Sequence, residues 1–344
     1  MKSEEKGVKT VKIHIVTGAN GFLGNTVVKK LPTDSEIRAL ILPGDRPDAL
    51  VSTGCKIYEG DVTKPETLKD IFDVPKGAEV YVIHCAALVY TKSKYDGRVY
   101  DVNVNGVKNI AKKAAEKGAK LIYISSVHAI PEQPGNAVIT ETHDFDPDKV
   151  TGLYAKTKAE AAAFVLEETA RGHINACILH PSGIIGPNDY GRSHLTQLIY
   201  DFTAGKLRFC VKGGYDFADV RDVADGVVNA CDKGENGECY ILSNRYVKIK
   251  DLLDTVSSFT GIKKVAMLPM KLAKLTAPLA EKYYEILGQP PLYSKYSLYT
   301  LGSNSNFSCA KAKEKLGYKT RDFTKTLKDT VDWLTLRRTA VKAK

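Results

Sequence analysis

VKIHIVTGANGFLG (11–24) decides the fold. Residues 11–16 form a short apolar run closed by Thr17 and Gly18, the mark of a buried strand. Gly18, Gly21 and Gly24 follow in TGANGFLG (17–24), and a helix is predicted from about Phe22 to a point before Pro32. Strand, glycine-rich turn and helix start in that order suit a bound pyrophosphate. The chain must turn sharply, no side chain can block the phosphates, and the helix N-terminus offers free N–H groups and a positive dipole end. A glycine triplet alone is weak evidence, and the strand–loop–helix context gives it weight.

Outward from that stretch, strands are predicted at 37–42, 56–59, 80–85, 120–125 and 174–180. Helices are predicted near 65–73 and over 96–118 and 153–171. The alternation implies a parallel sheet covered on both faces, doubly wound, with ligands above the carboxyl ends of its strands. After Pro181 the pattern weakens. Helices near 193–204, 222–232, 249–259, 271–287 and 324–336 mix with short strands and loops such as GQPPLY (288–293). The expected architecture is an α/β, Rossmann-type doubly wound parallel sheet over 10–185. A smaller C-terminal α/β substrate lobe spans 186–336, its segments free to interleave with the first, and 1–9 and 337–344 are tails.

The 344 residues are 43% hydrophobic and 26% charged, which excludes a disordered, collagen-like or low-complexity protein. No apolar run reaches the ~18 residues of a membrane span, and the N-terminus lacks the apolar region of a signal peptide. The net charge is +10, of which residues 1–12 carry +2 and 337–344 carry +4. Placed on frayed ends, these charges read as solubility rather than as a nucleic-acid stripe. Seven scattered cysteines without a CxxC suit a reducing cytoplasm and argue against a zinc site or disulfide framework.

Two readings stay open in the loops. An acid at the end of the second strand would favour NAD and an arginine NADP, but Ile41 and Leu42 stand there. Asp45 and Arg46 in the next turn could swing in, or could simply be solvated. Asp61, in GDV (60–62), either meets an adenine amino group or caps a following helix.

Tyr154 and Lys158 share one helix face at i and i+4. A lysine ammonium there favours the phenolate and would draw the tyrosine pKa from ~10 toward the working range. Ser125 and Ser126 end the fifth strand, one strand–helix unit earlier, so serine, tyrosine and glycine loop converge on one crevice.

The chain resembles the extended short-chain dehydrogenase/reductases, in the pattern of their dihydroflavonol reductase and 3β-hydroxysteroid dehydrogenase branch. The matching pieces are TGANGFLG (17–24), GDV (60–62), HCAA (84–87), VNVNG (102–106), ISS (124–126), YAKTK (154–158), HPSGIIGP (180–187) and DFADVRDVADG (216–226). FSCAKAKEKLGYKTR (307–321) is similar to the family's C-terminal signature. The resemblance implies Tyr154 as proton donor, Lys158 as ribose holder and tyrosine tuner, and Ser126 as the hydroxyl that orients the carbonyl. It implies cofactor contacts from Gly18, Asn20, Gly21, Phe22, Leu23, Gly24, Leu42, Arg46, Asp61, Val62, Ala86, Ala87 and Ser125. Pro181 and Gly183 join them through the turn around Ser182. Asn103 either supports the site or serves as a polar residue at a helix start.

Sugar-nucleotide members of the family carry RDF before this last element, the arginine gripping a phosphate. Here the triplet is YDF, with Tyr215 in the arginine's place. Dehydratases place Asp-Glu after the catalytic hydroxyl residue, whereas Val127 and His128 follow Ser126. Both departures favour the reductase branch. Candidate substrate contacts are His128, Tyr190 and Ser182. His128 lines the cleft or packs as a neutral ring. Tyr283, Tyr284, Tyr293, Tyr296 and Tyr299 build a flat apolar pocket or pack the small lobe.

The expected activity is hydride transfer between NAD(P)(H) and a mid-sized ketone, aldehyde or secondary alcohol of steroid or flavonoid type. NAD versus NADP is undecided. The alternatives are an NAD-dependent sugar-nucleotide epimerase or dehydratase, and a non-catalytic dinucleotide sensor. No metal, nucleic acid or membrane partner is expected, the location is cytoplasmic, and a homodimer is expected through the helices at 96–118 and 153–171. There Ala159, Ala161, Ala162 and Ala163 permit close approach.

Overall fold

The computed structural model describes residues 11–342, apart from 93, 208, 274, 276, 278, 280, 281 and 283–293. The GQPPLY loop and Tyr283, Tyr284 and Tyr293 therefore lie outside the described residues.

The opening stretch forms strand β1 (Lys12–Thr17) and helix α1 (Phe22–Val28). Then come β2 (Glu36–Ile41), β3 (Lys56–Glu59) and β4 (Glu79–His84). The next helical stretch has three parts: α2 (Gly97–Tyr100), a π-helical turn over Asp101–Asn105, and α3 (Gly106–Glu116). Strand β5 (Lys120–Ile124), helix α4 (Leu153–Ala170) and strand β6 (Asn175–Pro181) complete the alternation. The predicted helix at 65–73 is only a 3-10 turn over Pro65–Leu68.

These strands pair in parallel in the order β10-β6-β5-β4-β1-β2-β3, where β10 is Cys239–Leu242. The order reverses between β1 and β4, so their carboxyl ends leave a crevice at the switch point. The sheet is buried on both faces. Ile13, Ile15, Val82 and Leu121 face α3 and α4. Val16, Ile83, Ile122 and Leu179 face α1 and two later helices, α6 (Val220–Lys233) and α9 (Ala310–Leu316). Each such aliphatic side chain contributes about 1.5–3 kcal/mol on burial.

Strand β10 and helices α6 and α9 come from the 186–336 stretch yet complete the first layer, so the segments interleave. The rest of that stretch, with residues 183–185 before it and 337–342 after it, builds a lobe on its own cluster, including Ile199, Phe202, Phe217, Leu252 and Leu327. It holds β7 (Gly183–Ile185), α5 (His194–Thr203), β8 (Phe209–Val211), β9 (Gly214–Asp219), β11 (Arg245–Lys248), α7 (Ile249–Thr260), β12 (Ala266–Leu268), α8 (Lys295–Thr300) and α10 (Phe323–Lys342). A three-stranded sheet, β11-β9-β7, connects directly to the end of β6.

Two sequence expectations change here. Arg337 and Arg338 belong to α10 rather than to a frayed tail. Ala159, Ala161 and Ala162 are buried within the subunit and Ala163 is half-buried, which narrows the small-residue face that the dimer expectation uses. Among the described residues, no helix is long and apolar enough to cross a membrane.

Candidate active site

The glycine loop is built by close approach. Gly18 has φ +62°, and a Cβ there would lie 2.8 Å from the Ala86 backbone. A Cβ on Gly24 would lie 2.1 Å from the Gly18 carbonyl oxygen, so α1 can sit against the loop only with glycine at that position. The N-terminus of α1 has no side-chain cap and no acid in its first turn. Its free N–H groups are therefore available to an anion. Thr17 locks the two central strands together, its Oγ1 lying 2.7 Å from His84 Nδ1 and accepting from Ala86 N–H at 3.3 Å. Asn20 Nδ2 donates to the Arg46 carbonyl at 2.9 Å, tying the loop to the turn after β2. Leu42 and Arg46 are exposed there. Asp61 Oδ1 accepts from the N–H and hydroxyl of Thr63 at 2.9 and 2.8 Å, so the carboxylate closes a local turn and does not cap the helical turn over Pro65–Leu68, which has no side-chain cap. Val62 beside it is buried.

Across the switch point, Ser126 follows β5, and Tyr154 and Lys158 lie in the first half of α4. Gly152, at φ +96°, opens that helix, and a Cβ there would collide with the Tyr296 ring. Ser126 Oγ accepts from His128 N–H at 3.2 Å, capping the short turn at 127–129. Tyr154 is 9% exposed, and burial pushes its phenol up to about 12, against the opposite pull of the Ser126 hydroxyl. Lys158 Nζ donates to the Ile124 carbonyl at 2.8 Å and lies over the Tyr123 ring. Burial pulls its pKa down to about 7. The expectation that Lys158 would lower the Tyr154 pKa is not met: both groups sit in a dry crevice that disfavours either charge.

Asn103, in the π-helical turn, braces both sides of the crevice. It accepts from Leu88 N–H at 2.8 Å and donates to the Leu88 carbonyl and to Thr157 Oγ1. Thr157 in turn donates to the Tyr154 carbonyl. Insertions of this kind in a helix recur at functional sites.

His128 does line the site, and it is also a packed neutral ring. Its Nε2 lies 2.9 Å from the Tyr215 hydroxyl, and the two rings stack at 5.4 Å. Tyr154 meets the imidazole edge-on at 6.1 Å, and Tyr296 lies 6.0 Å away. Burial pulls the His128 pKa down to about 4. Tyr299 lies at the rim and donates to Glu132 at 2.6 Å. Spacing alone did not reveal the contact between Tyr215 and His128. The available signal was the tyrosine in YDF.

Ser125 and Ser182 are buried, and among the described residues neither hydroxyl makes a hydrogen bond of standard geometry. Both stand at strand ends beside the crevice, where a bound cofactor would meet them. Pro181 ends β6 and Gly183 starts β7, packed on Phe217. Ala86 and Ala87 are half-buried beyond β4. Tyr190 is not brought to this cluster. Its ring lies under Lys29 and Arg337, at 5.3 and 4.7 Å, so those cations cover the surface expected to meet substrate.

The doubly wound sheet, with its glycine loop at the switch point, is that of an oxidoreductase that uses a nicotinamide cofactor. The model of the NAD dependent epimerase/dehydratase family matches residues 14–243, and the chain belongs to that family as an extended short-chain dehydrogenase/reductase. It is similar to sterol demethylase protein B of Methylococcus capsulatus, with 28% identity over 93% of this chain and 97% of that one. It is also similar to 3beta-hydroxysteroid-dehydrogenase/decarboxylase isoform 1 of Arabidopsis thaliana, with 29% identity over 71% of this chain and 59% of that protein. Among solved structures, gox2253 superposes with a TM-score of 0.80 at 28% identity, covering 94% of this chain and 98% of that one.

Proposed function

We propose that this enzyme is a carbonyl reductase or secondary-alcohol dehydrogenase for a flat, mainly apolar substrate of steroid type. The observation that carries this reading is the wall formed by Tyr215, His128 and Tyr296 beside Ser126 and Tyr154. It is aromatic and carries no fixed charge, because burial keeps His128 neutral. Such a wall suits an apolar ring system and offers nothing to a phosphate. The names of the sterol-modifying and steroid-modifying relatives point the same way.

The bound nicotinamide cofactor supplies or accepts the hydride. The N-terminus of α1 would hold its pyrophosphate and Lys158 its ribose. At neutral pH the Tyr154 phenol carries its proton, the form needed to protonate an alkoxide as it develops. Ser126 Oγ accepts from His128 N–H, which aims its own proton across the crevice to the Tyr154 side, where the substrate oxygen would lie. Two donors preorganised at the growing negative charge stabilise the transition state. The Lys158 ammonium, titrating near neutrality, can replace the proton that Tyr154 gives up.

The test is oxidation of NADH and NADPH, run separately, with steroid ketones, dihydroflavonols and simple aldehydes. Turnover with a steroid ketone, reduced about 10²–10⁴-fold in Tyr154→Phe at unchanged melting temperature, is the expected result. A purified protein holding NAD tightly and turning over a sugar nucleotide with no net cofactor change would overturn it.

A further inference from the structure

Four cations from distant parts of the chain meet on one face. Lys29 follows α1, Arg192 sits in the loop before α5, and Arg337 and Arg338 lie in α10. Lys29 and Arg337 cover Tyr190, and Arg337 also lies 5.3 Å from Trp333. Arg192 and Arg338 sandwich Tyr200 at 4.3 and 4.0 Å. Nearby acids are already engaged: Asp225 with Lys30, Asp329 with Arg221 and Asp332 with Lys328. Asp189 and Asp201 accept from Ser193 and Gln197. Among the described residues, none of the four cations has a carboxylate within ion-pair distance. Arg192 is additionally held at φ +51°, an uncommon conformation for a long side chain.

We propose that this face docks on a membrane surface containing anionic phospholipids. Arg338 donates to the Tyr200 carbonyl and the Thr203 hydroxyl, and Lys29 to Asn25 Oδ1, whereas Arg192 and Arg337, stacked on rings, keep their N–H edges for phosphate oxygens. The aromatic faces are already covered by cations, which leaves them unable to stack nucleic-acid bases. Leu336, 69% exposed, and the half-exposed Trp333 stand beside the arginines. Arg337, edged by exposed leucine and half-exposed tryptophan, offers a lipid surface a cation beside apolar side chains. Lys342 and Lys344 extend the positive charge in sequence. A peripheral contact of this kind departs from the expectation of no membrane partner, which rested on the lack of a spanning segment.

The test is co-sedimentation of the full chain with vesicles of phosphatidylcholine, with and without phosphatidylglycerol. Binding is expected only to the anionic vesicles, and it should weaken with salt. Each basic residue at a lipid surface contributes a factor of about five, so Arg192→Gln with Arg337→Gln should lower binding more than tenfold. Should that double variant melt early, Arg192→Gln combined with Leu336→Ser replaces only exposed side chains. Equal binding to both vesicle types, no binding, or unchanged binding by the variants would overturn the proposal. So would equal affinity for a DNA duplex, which would make the face a general polyanion surface.

Discussion

At the scale of single residues, the hydroxyl of Tyr215 against His128 Nε2 connects recognition to stability. Both groups are withdrawn from water, so losing one leaves the other unsatisfied. Tyr215→Phe keeps the stacked ring and removes the bond. It should lower unfolding stability by about 1–3 kcal/mol. In a His128→Leu background the same change should cost almost nothing, and urea unfolding of the four proteins measures the coupling. Equal costs in both backgrounds would show that the bond contributes nothing. Ser126, Tyr154 and Lys158 were legible in the sequence because a strand end and a helical spacing of four fix their geometry locally. Tyr190 was not, because the cations covering it come from positions 29 and 337.

The scale of elements explains why the strands were legible to within about a residue. Buried parallel strands are continuous apolar runs, and β1, β2, β4, β5 and β6 read that way, whereas β3 is a short exposed edge strand. The stretch after β3 misled for a physical reason. Leu68, Ile71 and Phe72 are all buried and carry helical spacing, although only 65–68 close into a turn. Strand β10 was hidden because it is four residues long and comes after the small lobe has begun. The glycine loop yields a prediction at this scale. Gly24→Ala places a methyl 2.1 Å from a backbone carbonyl that no rotamer can avoid. Helix α1 must then move off the loop and take its N-terminal donors with it. Affinity for NADH or NADPH should fall at least about tenfold while Tyr154 and Lys158 keep their places, since one misplaced phosphate contact costs ~1.5 kcal/mol or more. Fluorescence titration of the reduced cofactor measures it, and unchanged affinity would remove α1 from the phosphate site.

For the whole molecule, buried histidines set the response to acid. His14, His128 and His180 are pulled down to about 4 and His84 to about 3, each mainly by burial. The unfolded chain protonates these rings near ~6.5. Between about pH 4 and 6.5 the unfolded state therefore binds more protons, and stability rises with pH across that window. Asp216 acts in the opposite sense, because burial raises it to about 6 and the folded state holds its proton above the usual carboxylate range. Burial also raises Asp222 and lowers His194, and five histidines against two aspartates leave the histidine direction dominant. The urea midpoint should drop markedly between pH 7 and pH 5, each unbalanced proton contributing about 1.4 kcal/mol per pH unit. His180 stacks on Phe145 and donates from Nδ1 to the Ser126 carbonyl, a bond that favours the charged ring, so the cost of protonating it is mainly burial. His180→Gln should flatten the pH dependence by about one proton even if it lowers stability at pH 7. An unchanged slope in that variant would mean that His180 is already charged in the folded protein, and that burial around β5 and β6 is weaker than the packing there implies.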